Sequence, residues 1–284
     1  MKKLCNVKPS RLFTFGCSFT DWHWATWANI LAIELDCEFY NFGKAGAGNF
    51  YISNLVTQAD SVYKFKSTDL IIISWTNISR EDRWIENQSW VTPGNIYSQN
   101  LYDKKFVKKY ANDIHFALRD FSLITLIDNY LSQKCQYHFF SMCDITKRIN
   151  QWVDVENNIN DITNLYRSSL NKINPSFYDV LWNDSIEDKF QKDKKEIHHN
   201  FVDGHPTILE HFLYLEKIFV DCFSTKTKNL VLNTHHEWLN DVRKNFNKYA
   251  KSKYIWDLPQ DIQNNLKKKS ILKNSNNISK LIFK

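Results

Sequence analysis

Four short turns of this 284-residue chain carry the side-chain types that acyl transfer requires. The turn FGCSFT at 15–20 holds Ser18, whose hydroxyl can attack a carbonyl carbon once a base takes its proton. The turn DGHP at 203–206 holds His205, which is suited to general-base work near neutral pH, and Asp203, which can orient the imidazole. Taken singly, such a serine is also typical of a helix cap, and such a histidine turn is also typical of a plain loop.

Two further turns contain groups that can donate hydrogen bonds to a negatively charged oxygen. Half of the six glycines fall within GKAGAG at 43–48, and glycine lets a backbone N–H approach a ligand closely. This segment lacks the Gly-Lys-Ser/Thr ending of a P-loop, and a tight turn without a ligand has the same composition. Asn77, in SWTN at 74–77, can donate its amide N–H to an oxyanion, or it can simply complete a turn.

The elements that must position these turns alternate between strands and helices. Short apolar runs predict strands at 11–16, 37–42, 70–75 and 135–142. Periodic apolar residues predict a helix after the first turn, with Asp21 or Thr20 as its cap, and further helices at about 50–64, 104–134 and 208–223. This order favours right-handed crossovers and a parallel sheet, whose carboxyl ends gather the turns at one edge.

The rest of the chain is less regular. Residues 143–200 are polar, and FYDVLW at 177–182 is the strand candidate there. From about 228 a helical appendage is expected. Residues 241–284 contain eleven Lys/Arg and three Asp/Glu, a charge of +8, so residues 1–240 sum to −2. We interpret the basic stretch as a solvated helical face and consider a nucleic-acid partner unlikely, because no stacking-strand signature accompanies the charge.

Composition excludes several classes of protein. No run of about 18 apolar residues occurs, so no transmembrane helix is expected, and the N-terminus lacks the apolar stretch of a signal peptide. The six cysteines form no C-x-x-C pair, which favours reduced thiols in a cytoplasmic protein. The pairs His198-His199 and His235-His236 lack further ligands at metal spacing, so we predict surface histidines and no metal site.

The four turns together, in this order along the chain, resemble the SGNH/GDSL hydrolase superfamily. The resemblance covers about residues 10–220, and the segments that carry it are FGCSFT at 15–20, NFGKAG at 41–46, IIISWTN at 71–77 and DGHP at 203–206. It implies a flavodoxin-like three-layer α/β/α sandwich around a central parallel sheet, with helical insertions. It also implies a hydrolase-like domain over 1–227 with an insertion at about 143–200, followed by the C-terminal helical appendage over 228–284.

The resemblance also assigns roles to residues. Ser18 is the expected nucleophile, and Asp203 and His205 complete the catalytic set. The backbone N–H groups of Ser18 and Gly46 and the amide of Asn77 form the expected oxyanion hole. The implied reaction is hydrolysis of an ester, such as an O-acetyl group on a carbohydrate, with no metal or organic cofactor. The implied partner is therefore a small-molecule or glycan ester, and the oligomeric state stays undetermined.

Departures from the family pattern keep two alternatives open. Cys17 stands where the family has Asp, SWTNI at 74–78 retains only the Asn of the third motif, and one residue fewer separates Asp203 from His205. A non-catalytic binding or structural protein with the same fold is one alternative, and an acyltransferase using the same serine is the other. Cys17 as the nucleophile is a minor rival, because a small buried cysteine is the commoner case. The side chains next to the motifs are candidates for the substrate pocket wall: Trp22, His23, Trp75 and Arg80.

Overall fold

Four parallel strands form the central sheet in the order β2-β1-β3-β6. The computed structural model describes residues 3–85, 89–97, 102–146, 156–249 and 251–269. The strands of this sheet are β1 (Arg11–Gly16), β2 (Glu38–Gly43), β3 (Asp69–Trp75) and β6 (Gln136–Ser141). Their register places Gly16 beside Gly43, and Trp75 beside Ser141. The carboxyl ends therefore share one edge, and the predicted parallel sheet is confirmed.

Helices cover both faces of the sheet. The chain passes from β1 through α1 (Trp27–Leu35) to β2, and then returns across β1 through α2 (Asn49–Tyr63) to β3. Right-handed crossovers in opposite directions place α1 and α2 on opposite faces. Helix α4 (Asp113–Ser132) packs beside α2, and α9 (Ile208–Ile218) packs beside α1. This arrangement confirms the predicted three-layer α/β/α sandwich.

The sheet forms because its strands are apolar on both sides. Every residue of β3 is buried, as expected for a parallel strand covered by helices on both faces. Aromatic rings stack between β1 and β2: the ring centroids of Phe13 and Tyr40 lie 4.6 Å apart, and those of Phe15 and Phe42 lie 5.0 Å apart. Such pairs stabilise a fold by about 0.5–1.5 kcal/mol beyond the area they bury, and they fix the register of the two strands.

Three sequence predictions differ from the structure. The strand predicted at 177–182 is the helix α7 (Phe177–Trp182), because the Ser176 hydroxyl accepts a hydrogen bond from the backbone N–H of Asp179 and caps it. The first helix begins at Trp27 after Thr26, so Asp21 and Thr20 do not cap it. The long helix predicted over 104–134 is two helices, α3 (Lys104–Tyr110) and α4.

Further elements surround this core. A small antiparallel pair, β4 (Arg83–Ile85) and β5 (Ser89–Val91), lies between β3 and α3 and was not predicted. The polar region at about 143–200 contains four helices among its described residues. Its helices are α5 (Glu156–Leu165), α6 (Arg167–Leu170), α7 and α8 (Ile186–Glu196).

The C-terminal part consists of α10 (Thr225–Lys248), a 3-10 turn (Ile255–Asp257) and α11 (Gln260–Lys269). Helix α10 packs against α9 and α1, and the rings of Trp24 and Trp238 lie 4.9 Å apart. Residues 270–284 of the basic stretch lie outside the described part. Within the described residues, no helix combines the length and apolar character that crossing a bilayer needs.

Candidate active site

Ser18, His205 and Asp203 are joined by hydrogen bonds at the carboxyl edge of the sheet. The Oγ atom of Ser18 lies 2.8 Å from Nε2 of His205. The Nδ1 atom of His205 lies 2.5 Å from Oδ1 of Asp203. Ser18 is 5% exposed and the His205 side chain 17% exposed, while Asp203 is fully buried. A hydroxyl, an imidazole and a carboxylate joined in this order can carry out acyl transfer.

The short spacing between Asp203 and His205 does not prevent this contact. The same Oδ1 atom of Asp203 also accepts the backbone N–H of His205 at 3.0 Å. The turn therefore folds back on itself, and one carboxylate oxygen meets both the backbone and the ring of the histidine. The other oxygen, Oδ2, is buried and has no hydrogen-bond partner among the residues that the structure describes.

The turn that carries Ser18 is held in place by neighbouring residues. Gly16 is required because a Cβ there would lie 2.1 Å from Oγ1 of Thr20. The carbonyl of Thr20 accepts the Thr26 hydroxyl at 2.7 Å and Nδ2 of Asn41 at 3.1 Å. Since the helix begins only at Trp27, Ser18 does not sit at a helix N-terminus, and the helix dipole does not act on it. Cys17 is fully buried.

The glycine turn lies between β1 and the β4–β5 pair. The backbone N–H of Lys44 donates to the carbonyl of Gly16 at 3.0 Å. Gly46 has φ +75°, and a Cβ there would lie 2.1 Å from the carbonyl oxygen of Thr92. The guanidinium of Arg80 donates to the carbonyl of Ala47 at 2.8 Å. Only glycine fits both the conformation and the close approach at position 46.

Asn77 has one defined orientation. Its Oδ1 accepts the backbone N–H of Ser79 at 2.9 Å and the hydroxyl of Ser79 at 2.7 Å. Because a backbone N–H can only donate, the atom facing Ser79 must be the oxygen. The amide nitrogen of Asn77 is therefore turned away from Ser79, and Asn77 itself lies two residues after the end of β3.

Two side chains that the sequence prediction missed hold the segment around Asn77. The Asn49 side chain pairs with the backbone of Thr76: its Oδ1 accepts the Thr76 N–H at 2.8 Å, and its Nδ2 donates to the Thr76 carbonyl at 3.0 Å. Arg119 donates to the carbonyls of Ile78 at 3.1 Å and Arg80 at 2.8 Å. Asn49 is the last residue of the glycine-rich segment, so its place beside the motif turns could have been predicted. Nothing in the sequence linked Arg119 to the turn around Asn77.

Asn49 and Arg119 are themselves joined by a buried acid. Asp120 accepts Nδ2 of Asn49 at 2.8 Å and Nε of Arg119 at 2.7 Å. Burial raises the pKa of Asp120 to about 6, although Arg119 and Asn49 oppose this shift. Asn49, Arg119 and Asp120 thus form one connected polar network inside the protein. We call this network the clamp, because it holds the third turn, around Asn77.

A buried ion cluster supports the histidine turn. Glu210 accepts the backbone N–H of Thr207 at 2.8 Å, the Lys192 ammonium at 2.8 Å and the Trp182 indole N–H at 3.0 Å. The Lys189 ammonium, fully buried, lies 3.2 Å from Glu210. Burial opposes the charged form of Glu210, but the two lysines outweigh it and hold its pKa below the usual range. These contacts fix the start of α9, three residues after His205.

The four suggested pocket residues have different surroundings. The Trp22 ring stacks on the His205 imidazole, with centroids 3.7 Å apart and planes 19° apart, and His23 lies beside Trp22. Arg80 binds the glycine turn through Ala47. Trp75 is fully buried and packs against Phe139, so its side chain belongs to the core and not to an accessible pocket wall. The reason is that Trp75 ends a strand covered on both faces.

Metal ligands do not gather in the described part of the chain. No group of three or more His, Cys, Asp or Glu side chains there is arranged to hold a metal ion. His199 and His236 are exposed, but His235 is buried and packs against Trp238, so the expectation of a surface position was wrong for His235.

Comparison with known proteins finds likeness to solved structures, among them two proteins of one lipolytic family. No protein-family model and no curated protein matches the sequence. A crystal structure of a member of the lipolytic protein G-D-S-L family from Veillonella parvula DSM 2008 is 14% identical, with a TM-score of 0.41 over 74% of this chain and 97% of that chain. A protein described as of the lipolytic G-D-S-L family from Desulfitobacterium hafniense DCB-2 is 14% identical, with a TM-score of 0.32 over 61% and 79%. Neither likeness decides what the chain does.

Proposed function

We propose that this chain is a serine ester hydrolase in which Ser18 forms an acyl-enzyme, His205 acts as general base and Asp203 orients and stabilises the imidazole. The observation that supports this most is the continuous pair of hydrogen bonds, 2.8 Å from Ser18 to His205 and 2.5 Å from His205 to Asp203. In this alignment one imidazole nitrogen can take the hydroxyl proton while the carboxylate faces the other nitrogen, which is what a general base in acyl transfer requires.

Acylation begins when Nε2 of His205 removes the hydroxyl proton of Ser18. The Oγ atom then forms a bond to the carbonyl carbon of the ester, and the electron pair of the C=O bond moves onto the oxygen. The imidazolium that results faces the Asp203 carboxylate, which stabilises its positive charge. When the tetrahedral intermediate collapses, the imidazolium gives its proton to the departing alcohol oxygen.

The negative oxygen of the intermediate needs donors that are already in place. We assign this role to the backbone N–H groups of Ser18 and Gly46 and to the amide nitrogen of Asn77. The contacts of Asn77 with Ser79 support the assignment, since they orient the amide oxygen away and leave the nitrogen as donor. One such donor typically stabilises the transition state by about 3–4 kcal/mol. Water activated by His205 then releases the acid and restores Ser18.

The acyl group we propose is small, such as an acetyl group on a carbohydrate. This choice comes from the family resemblance, whereas the reaction type comes from the hydrogen-bonded side chains. Transfer to an acceptor alcohol in place of water uses the same acyl-enzyme. The two reactions differ only in the second step, so product analysis with and without an added alcohol separates them.

Hydrolysis of p-nitrophenyl acetate tests the proposal. The wild-type protein is expected to release p-nitrophenol, and Ser18→Ala is expected to lose this activity by roughly 10³-fold or more. Two controls are matched to it: Cys17→Ala, which removes the neighbouring thiol, and Ser10→Ala, which removes an exposed hydroxyl at the other end of the strand. Both are expected to keep wild-type rates. Unchanged activity in Ser18→Ala contradicts the assignment of Ser18 as the nucleophile. Loss of activity in Cys17→Ala, together with an active Ser18→Ala variant, contradicts it as well.

A further inference from the structure

A row of aromatic rings leads outward from the catalytic imidazole. The Trp22 ring stacks on His205. The Trp256 ring meets Trp22 edge-on, with centroids 6.0 Å apart and planes 81° apart. The Tyr254 ring is stacked on Trp256, with centroids 4.4 Å apart and planes 9° apart. The two outer rings come from the C-terminal appendage, which the catalytic assignment does not use.

The outer pair of rings is held in a fixed place. Between them in sequence, the Ile255 side chain is fully buried. One carboxylate oxygen of Asp257 accepts the backbone N–H groups of Lys253 at 2.8 Å and Tyr254 at 2.9 Å. The side chain of Gln263, on α11, donates to the carbonyl of Trp256 at 3.1 Å. A ring fixed in this way loses little freedom when a ligand stacks on it.

The segment that carries these rings is also joined to the histidine turn. The backbone N–H of Val202 donates to the carbonyl of Lys253 at 2.9 Å. Val202 directly precedes Asp203, and Lys253 directly precedes Tyr254. The outer rings and the orienting acid are therefore neighbours across one backbone hydrogen bond, at the same rim of the molecule.

Trp256 presents an apolar ring to solvent. The residue is 46% exposed, although the Tyr254 ring is stacked on it and the Trp22 ring stands nearly perpendicular to it. Nearly half of the residue is therefore open to a ligand. A flat apolar face beside a few polar groups is the usual wall of a small-molecule site, and here Lys253 and Asp257 flank it.

We propose that Trp256, supported by Tyr254, forms an outer subsite that binds a flat six-membered ring in the alcohol part of the ester. The proposal rests on the proposed ester hydrolysis. The alcohol side follows from the chemistry: the leaving oxygen must lie near Nε2 of His205 to take its proton, and the rings extend outward from that same imidazole. The ring is the sugar ring or the aryl ring of the alcohol, and both present a flat face with apolar C–H or π character.

Binding without turnover tests the subsite independently of catalysis. In Ser18→Ala protein, the affinities of phenyl acetate, an acetylated methyl glucoside and ethyl acetate are measured by saturation-transfer NMR. Adding Trp256→Ala is expected to weaken a ring acetate roughly three- to tenfold and to leave ethyl acetate unchanged. Trp256→Phe is expected to retain most of the affinity. Tyr110→Ala, which removes an exposed ring on α3, is the matched control and is expected to change nothing.

The outcomes separate the two proposals. Loss confined to the glucoside, or to phenyl acetate, supports the subsite and identifies the ring it takes. Equal weakening of all three esters by Trp256→Ala, or weakening of none, overturns it. In otherwise wild-type protein the same variant is expected to raise KM for the ring ester with kcat nearly unchanged. If the chain hydrolyses no ester but still prefers ring acetates in a way that depends on Trp256, the subsite is supported and the proposed hydrolysis is contradicted.

Discussion

Single side chains carry most of the chemical argument, and Asp203 is the most informative of them. One oxygen of its carboxylate meets both the backbone N–H and the ring Nδ1 of His205. The backbone contact fixes the carboxylate by a local turn, so the ring contact does not depend on a distant element. The charge of Asp203 and its position therefore make separate contributions, and a substitution that keeps the shape can tell them apart.

Asp203→Asn is expected to lower kcat for p-nitrophenyl acetate by roughly 10²- to 10⁴-fold, with KM within about twofold. The backbone N–H of His205 keeps an oxygen atom facing it, so the ring keeps its orientation, and only the stabilising charge on the imidazolium is lost. Steady-state kinetics measures the effect. Asp188→Asn, at an exposed position in the first turn of α8, is the control. A wild-type kcat in Asp203→Asn contradicts the role given to the carboxylate.

The strands and their turns were predictable because apolar runs of β1, β2, β3 and β6 are short, continuous and bounded by polar residues. The carboxyl ends of such strands meet at one edge, so the predicted turns come together as expected. The helix at 177–182 was not predictable from its composition, because aromatic and β-branched residues favour a strand and only the Ser176 cap decides otherwise. Likewise, Arg119 acts on the third turn from a helix more than thirty residues away, and spacing does not record such a contact.

The helix α2 has a second role besides packing, because its first residue holds the end of β3. Asn49→Ala is expected to cost about 2–4 kcal/mol of unfolding free energy, since it leaves the buried N–H and carbonyl of Thr76 without partners. It is also expected to lower kcat about tenfold or more, because Asn77 follows Thr76 directly. Denaturant unfolding and steady-state kinetics measure the two effects.

Asn54→Ala, on the same helix, is the control for this prediction. Asn54 is half-buried, and its side-chain oxygen accepts a hydrogen bond from the Gln58 amide on the same helix, whereas the Thr57 hydroxyl donates to the backbone carbonyl of Asn54. Its loss is expected to change the unfolding free energy by less than about 1 kcal/mol and to leave kcat unchanged. If Asn49→Ala behaves in the same way, the third turn does not depend on the clamp.

At the scale of the whole molecule, several charged and titratable side chains are buried in the layer that contains α8 and α9. His211 is fully buried there, and neither of its ring nitrogens has a hydrogen-bond partner among the described residues. Burial lowers the pKa of His211 to about 3, with Glu210 opposing the shift and His205 and Lys189 adding to it. The folded protein therefore disfavours the protonated ring, whereas the unfolded chain takes up its proton near pH 6.5.

The unfolding free energy is accordingly expected to fall as the pH drops from 6.5 towards 3. In this window the unfolded chain binds more protons at His211 than the folded chain does, and the loss approaches about 1.4 kcal/mol per pH unit. His211→Leu removes this contribution, so its stability is expected to fall less steeply with acid. Urea unfolding between pH 7 and pH 4 measures both slopes. Parallel slopes for the two proteins contradict the buried neutral histidine.

Labelling with a fluorophosphonate probe tests the central claim most directly, because the probe phosphonylates a serine hydroxyl that a base has activated far faster than an ordinary serine. The account predicts one covalent adduct per chain, located by mass spectrometry on Ser18 and lost in both Ser18→Ala and His205→Ala. An adduct on another residue, or labelling of Ser18 that persists at the wild-type rate in His205→Ala, contradicts it.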